Sequence, residues 1–218
     1  MIVDDRMRAY INSLNPGNTE LLEEIEREAV KAYVPIIRRE MQSFLKFLLA
    51  SVKPYRILEV GTAIGFSALL MSEYAPEGCQ ITTIENYEKR IPIARENFIR
   101  AGKEKQITLL FGDALKILQG LEETESFDFI FLDAAKGQYL SYLPEVVRLL
   151  SPGGILLSDN VLQDGDIIES RFAVERRNRT IHARMREYLY QLTHREDLTT
   201  SILPLADGVT VSVKRGIV

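Results

Sequence analysis

The chain is poor in the side chains that bind soft metals and build proton relays: its 218 residues include one cysteine and two histidines. With Cys79 alone, no internal disulfide can form, which fits a reducing compartment. His182 and His194 have no second His or Cys at ligand spacing, so zinc chemistry and a Ser-His-Asp relay lack their parts. Long apolar runs are missing too: none approaches the ~20 residues that span a bilayer. Asp4, Asp5, Arg6 and Arg8 stand where a signal peptide would be apolar. A cytoplasmic protein with no membrane partner is expected. The net charge of −4 and pI near 5.4 remove any global attraction to nucleic acid, so such a partner would need a local basic patch.

What is present is an alternation of periods. The length suits one domain, residues 1–218, that buries roughly 70% of its unfolded surface. Residues 1–53 read as helices. Leu21, Leu22, Ile25, Ala29 and Ala32 recur at helical spacing behind Asn18 as N-cap, and after Pro35 a second stripe runs Ile36, Ile37, Met41, Phe44, Leu45, Leu48 and Leu49. In the core, 54–218, short apolar runs at 57–60, 81–84, 107–111, 127–132 and 155–157 are each separated by a helix-length segment. Helices are predicted to start near Gly65, Tyr87, Ala114 and Gln138, with 151–154 as a turn and a long polar helix over 171–192. Strands at 199–203 and 209–213 close the sheet in antiparallel sense. This pattern means βαβ units, hence an α/β fold with a mostly parallel sheet covered on both faces and an N-terminal helical extension.

Glu59-Val60-Gly61-Thr62-Ala63-Ile64-Gly65 follows the first strand and opens a helix, where glycines allow a tight turn close to a ligand. Glu85 ends the second strand, where an acid can accept ribose hydroxyls; together they mark an adenosine-binding sheet rather than a bare turn. Ala63 replaces the middle glycine that a dinucleotide pyrophosphate requires, and Glu59 would repel a phosphate yet favour a sulfonium or amino group. That points to S-adenosylmethionine. Gly112-Asp113 is placed to meet the adenine, or Asp113 caps the next helix.

Two acidic stretches, 131–136 and 158–160, end apolar runs. If their strands are neighbours roughly 5 Å apart, Asp133, Asp159 and Asn160 converge as hard oxygen donors that suit magnesium, or manganese or calcium, over zinc. Lys136 lies one loop turn beyond, as a proton acceptor or oxyanion partner, or else as a surface lysine paired with an acid. Arg171, Arg176, Arg177, Arg179, Arg184 and Arg186 form a positive island suited to phosphates, or a solvated helix face. Tyr139 and Tyr142 either stack on a base or pack their helix against the sheet.

These motifs, Glu59-x-Gly61-x-x-x-Gly65-Phe66-Ser67, Glu85, Gly112-Asp113, Leu132-Asp133-x-x-Lys136 and Asp159-Asn160, resemble the cation-dependent O-methyltransferases, the family of catechol and caffeoyl-CoA O-methyltransferases. The likeness runs from Tyr33 to the C-terminus. It implies a Rossmann-like S-adenosylmethionine-dependent methyltransferase fold with a seven-stranded sheet. It implies that the donor is held by Ile37, Glu59, Gly61, Ser67, Glu85, Gly112, Asp113 and Asp133, the metal by Asp133, Asp159 and Asn160, and that Lys136 takes the catalytic-base position beside Asp133. Tyr33-Val34-Pro35 and Arg176-Arg177-Asn178-Arg179 are similar to the bacterial tRNA 5-hydroxyuridine methyltransferases. That branch implies methylation of the wobble 5-hydroxyuridine to 5-methoxyuridine, with the anticodon loop met by Arg171, Arg176, Arg177 and Arg179. The alternative acceptor is a small catechol-like or caffeoyl-type phenol. The catechol enzymes carry a substrate-orienting glutamate in a late loop, and 203–208 offers no match. A homodimer is expected from the apolar N-terminal helices and the family likeness.

Overall fold

The computed structural model describes residues 4–216; Met1, Ile2 and Val3 of the polar N-terminal stretch, with Ile217 and Val218, lie outside the described residues. Two compact units divide the chain, Asp5–Ile117 and the residues from Leu118 onward.

In the first unit α1 (Asp5–Ser13) buries no side chain, and the two apolar stripes fold as α2 (Glu20–Lys31) and α3 (Arg39–Val52). Leu22, Ile25 and Ala29 of α2 and Met41, Leu45, Leu48 and Leu49 of α3 are buried, one face of each helix. Acids in the first turn of α2 and Lys31 in its last complement the helix dipole. Thr19, not Asn18, holds its N-cap position, without a side-chain cap bond. The Asn18 amide donates instead to Gln42 Oε1 at 2.8 Å. Gln42 is 2% exposed, and a buried amide loses more when unpaired than an exposed helix end does.

β1 (Arg56–Val60), β2 (Gln80–Glu85) and β3 (Ile107–Phe111) pair in parallel, Ile57 opposite Ile81 and Ile81 opposite Ile107. Every β1 residue after Arg56 is buried, as a strand covered on both faces requires. α4 (Phe66–Tyr74) and α5 (Ile91–Arg100) are the connecting helices, and α6 (Ala114–Gly120) follows β3.

In the second unit β4 (Phe127–Leu132) pairs in parallel with β5 (Leu150–Ser158), and β7 (Val209–Lys214) runs antiparallel to both β5 and β6 (Leu198–Leu203). α7 (Tyr139–Leu149) and α8 (Arg179–His194) complete it. The strands hydrogen-bond in the order β3-β2-β1-β4-β5-β7-β6, the seven-stranded sheet expected.

Two expectations are corrected here. Residues 151–154 are not a turn ahead of a strand but a bulge inside β5: the register passes from Phe127 opposite Leu150 to Phe129 opposite Ile155. A Cβ at position 154 would lie 2.8 Å from Ser151 O and 3.0 Å from Asp128 O, so the bulge closes only over glycine. The polar helix begins at Arg179, not Arg171. Of residues 169–178 only Val174 is buried, so that stretch has no apolar face to hold a helix down and forms bends and a 3₁₀ turn at Arg176–Asn178.

Candidate active site

The turn after β1 reverses the chain through three residues of positive φ, Gly61 at +110°, Ala63 at +46° and Gly65 at +83°. Gly61 N and Thr62 N both donate to Ile84 O, at 3.0 and 3.2 Å, which fastens the turn to the end of β2. Gly65 is favoured twice over: its φ is one that side chains rarely adopt, and a Cβ there would stand 2.5 Å from the Phe98 ring. Asn97, beside Phe98, donates to Ile64 O at 2.9 Å.

Glu59 lies fully buried at the root of this turn. Thr83 donates its hydroxyl to Oε2, with Thr62 2.6 Å behind it, while Oε1 makes no well-aligned hydrogen bond. Burial pushes the carboxyl up to about 7, the hydroxyls of Ser67 and Thr83 draw it down, and the Glu85 charge adds to the rise. A buried carboxyl with one oxygen short of a well-aligned partner could receive a cationic group. Glu85, 7% exposed, is clamped by backbone: Oε2 accepts from Ala63 N at 2.7 Å, and Oε1 from Asn86 N and Tyr87 N at 2.9 Å each. Both lone pairs of Oε1 are thus engaged, and Oε2 is the atom left for a ribose hydroxyl.

Gly112, at φ +151°, donates to Glu85 O at 3.0 Å and so stands beside the clamp. Of the two roles open to Asp113, the helix cap is formed: exposed Asp113 accepts from Lys116 N at 3.0 Å. Ser67 is buried in the first turn of α4. Ile37 is a buried apolar residue whose carbonyl accepts from Gln42 at 3.0 Å.

In the second unit the ends of β4 and β5 lie side by side, Leu132 opposite Ser158, with Asp159 N donating to Leu132 O at 2.9 Å. Asp133 and Asp159 therefore leave the sheet together. Asp159 is 3% exposed, and its carboxyl rises to about 7, first through burial, then through the charge of Asp133; Asn160 N and Lys136 oppose the rise while Asp207 adds to it. Asn160 sits at φ +58°, and its Nδ2 donates to Asp207 Oδ2 at 3.3 Å, which turns the amide oxygen into the free end. Lys136 is half-buried in the 3₁₀ turn Lys136–Gln138.

Among the described residues no three His, Cys, Asp or Glu side chains form a metal-holding group; the donor set is two carboxylates and an amide, all hard oxygens. Carboxylates crowded this way, one of them buried, fit a divalent cation that would offset their repulsion.

Over residues 12–215 the sequence matches the O-methyltransferase family. The chain belongs to that family. Among its relatives, the catechol O-methyltransferase of Niastella koreensis is 35% identical over 58% of this chain and 58% of its own. The caffeoyl-CoA O-methyltransferase of Populus kitakamiensis is 30% identical over 93% of this chain and 89% of its own. The SAH-bound Podospora anserina methyltransferase PaMTH1 superposes with a TM-score of 0.86 at 30% identity, covering 97% of this chain and 95% of that one.

For a member of this family, two residues given no part in the acidic site by the sequence stand out. Asp207 belongs to the late loop that offered no acid of the right kind. Val161 N and Leu162 N donate to the carbonyls of Gly208 and Asp207, both at 2.9 Å, and this pairing carries the Asp207 carboxylate to Asn160. Its signal was the Asp207-Gly208 pair, since a Cβ at 208 would meet Leu162 Cγ at 2.2 Å. Tyr139 is the second: it packs, as one reading of it held, and its hydroxyl also touches the backbone of both acidic loops.

The arginine island is divided. Arg179 donates to Val174 O and Phe172 O, Arg184 to Gly137 O and Arg186 to Ile167 O, so these three hold backbone. Arg177 pairs with Glu175 at 2.7 Å, while Arg171 and Arg176 are exposed. No described helix is long and apolar enough to cross a membrane.

Proposed function

We propose that this O-methyltransferase transfers the methyl group of S-adenosylmethionine to one of two vicinal oxygens on a small aromatic acceptor, a catechol or caffeoyl-type phenol, with a divalent cation, magnesium first, held by Asp133, Asp159 and Asn160. One observation carries the reading: a buried carboxylate, Asp159, faces the charges of Asp133 and Asp207, an arrangement that costs stability unless a cation completes it. A bound divalent cation stabilises the conjugate base of a phenol-like hydroxyl, whose ordinary pKa is about 10. An acceptor with two adjacent oxygens could meet a cation held there with both, which is why vicinal phenols would suit the site.

The chain's own residues supply the rest. Glu59 Oε1 receives the donor's amino or sulfonium charge and Glu85 Oε2 a ribose hydroxyl, with Gly61, Gly65 and Gly112 keeping the backbone clear and Ile37, Ser67 and Asp113 lining the site. SAH, which PaMTH1 holds, is what such a donor becomes once its methyl is gone. Lys136 takes the phenolic proton on Nζ or holds the oxyanion. A scaffold that only bound the donor would have no use for the acid cluster.

A second acceptor, the wobble 5-hydroxyuridine of tRNA, also presents a hydroxyl beside a carbonyl. Exposed Arg171, Arg176 and Arg177, with Phe172 84% exposed among them, favour it as phosphate contacts and a stacking face. Arg179 is better assigned to holding its own loop. Exposed Val30 and Phe47 on α2 and α3 favour a homodimer, and the buried Cys79 thiol a reducing cytoplasm.

The test supplies labelled donor with a catechol or with tRNA lacking the 5-methoxy group, each with and without EDTA. Label in the catechol that vanishes with chelator supports the reading, and label confined to tRNA moves the acceptor to the second. Transfer that survives excess chelator rejects the metal.

A further inference from the structure

The geometry points to Tyr139 as a positioning residue whose hydroxyl sets the spacing and aim of Asp133 and Asp159, and so the metal affinity of the site. It rests on the metal reading above and deepens it. Tyr139 is the first residue of α7 and is fully buried. Its Oη lies 3.0 Å from Leu132 O and 3.1 Å from Asp159 O, and Ala134 N donates to it at 3.3 Å. A phenol has one proton and two acceptor positions, so the proton is shared between the carbonyls while the oxygen takes the amide. Leu132 and Ala134 flank Asp133 on either side. One atom therefore holds the backbone around Asp133 and the backbone of Asp159 itself.

The neighbourhood makes this a built contact. The Tyr139 ring meets Tyr188 edge-on, centroids 5.5 Å apart, and Tyr188 bonds Ser158 Oγ at 2.6 Å, one residue before Asp159. The phenol is fully buried, so its one O–H has the two carbonyls, not solvent, as acceptors. Without that donor, the two carbonyls lose the proton they share, and the Asp159 N to Leu132 O bond is left to fasten the acidic loops beyond the strand pairing. Groups that orient metal ligands from behind are worth about 10- to 100-fold in metal affinity.

Tyr139→Phe keeps the ring and removes the brace; Tyr188→Phe removes an equally buried hydroxyl that does not touch the acidic loops' backbone. Manganese binding is read from the loss of the free-ion EPR signal, alongside thermal unfolding of each variant. The expected result is that Y139F weakens manganese binding about 10-fold or more, while Y188F stays within about 3-fold at a comparable loss of thermal stability. Manganese affinity of Y139F within about 2-fold of wild type overturns the brace, and so does an equal loss in Y188F, which would mean general loosening of the core. Wild-type protein that leaves the manganese signal unchanged overturns the metal reading, and the brace with it. The wild-type chain offers an independent check should Y139F not fold: the Ala134 amide must exchange its hydrogen slowly, and exchange as fast as that of the exposed residue Ala135 refutes the brace.

Discussion

Glu59→Gln separates stability from donor binding, because the same carboxyl weakens the empty protein and strengthens the loaded one. Burial raises the folded-state carboxyl from 4.5 to about 7. For an acid whose pKa is raised on folding, the native state binds the extra proton, so its contribution is full below about 4.5 and is lost as pH rises through about 7. That difference is worth about 3 kcal/mol by pH 8, at 1.36 kcal/mol per pKa unit. Glutamine cannot ionise, so the stability of the variant relative to wild type should climb by about that amount between pH 4.5 and 8, whatever fixed offset its amide brings. Urea melts of the two empty proteins at half-unit pH steps measure this directly, since their difference cancels every carboxylate they share. SAH affinity should move oppositely, falling about 10- to 100-fold in the variant at pH 8, because a charge-assisted bond worth about 1.5–3 kcal/mol is lost. Parallel stability curves across pH 5 to 8 would refute the argument, for they would mean that Glu59 does not titrate in that range.

Asp159→Ala should abolish methyl transfer while SAH affinity, measured by calorimetry, stays within a few-fold; equal loss of both would make Asp159 structural. Gly65→Ala drives a methyl into the Phe98 ring at a left-handed φ, and should cost about 2 kcal/mol or more of stability in urea melts. Arg171→Ala with Arg176→Ala should leave the melting temperature unchanged; if tRNA is the acceptor, it weakens tRNA binding and lowers the salt slope by about 2, whereas catechol turnover is untouched. Arg179→Ala should instead lower thermal stability, since it frees the carbonyls of Phe172 and Val174.

Seven strands were legible because their period is short and their boundaries chemical. Pro54, Gly61 and Gly112 bracket runs too apolar to be anything but buried β, and six strands fall within one residue of the positions read from the pattern. β5 fails that test, starting at Leu150 instead of Ile155. Ser151-Pro152-Gly153-Gly154 has the composition of a turn, and a bulge that keeps pairing on both sides of it has the same local signature. The helix set at Arg171 fails for the opposite reason: charge density resembles a solvated helix, while helices in proteins are held by what they bury.

The donor triad, two acids and an amide, was legible because its members follow the ends of two strands, where topology alone brings them to a common edge. Asp207 and the Tyr139 hydroxyl follow a different logic. Asp207 reaches Asn160 through antiparallel backbone pairing of residues 161–162 with 207–208, a contact that depends on where a loop folds back and not on any strand end. The Tyr139 ring sits at a position where an apolar helix face needs bulk, so burial by itself accounts for an aromatic there; the fold alone sets its oxygen between two carbonyls. Charge that must be gathered leaves a pattern in the sequence, because like carboxylates appear together only where something offsets them. The groups that aim those carboxylates leave none, since each also serves as ordinary core or ordinary turn. Variants of Asp159 should therefore remove a donor from the metal site outright, while those of Tyr139 keep all three donors and weaken the site only through their aim.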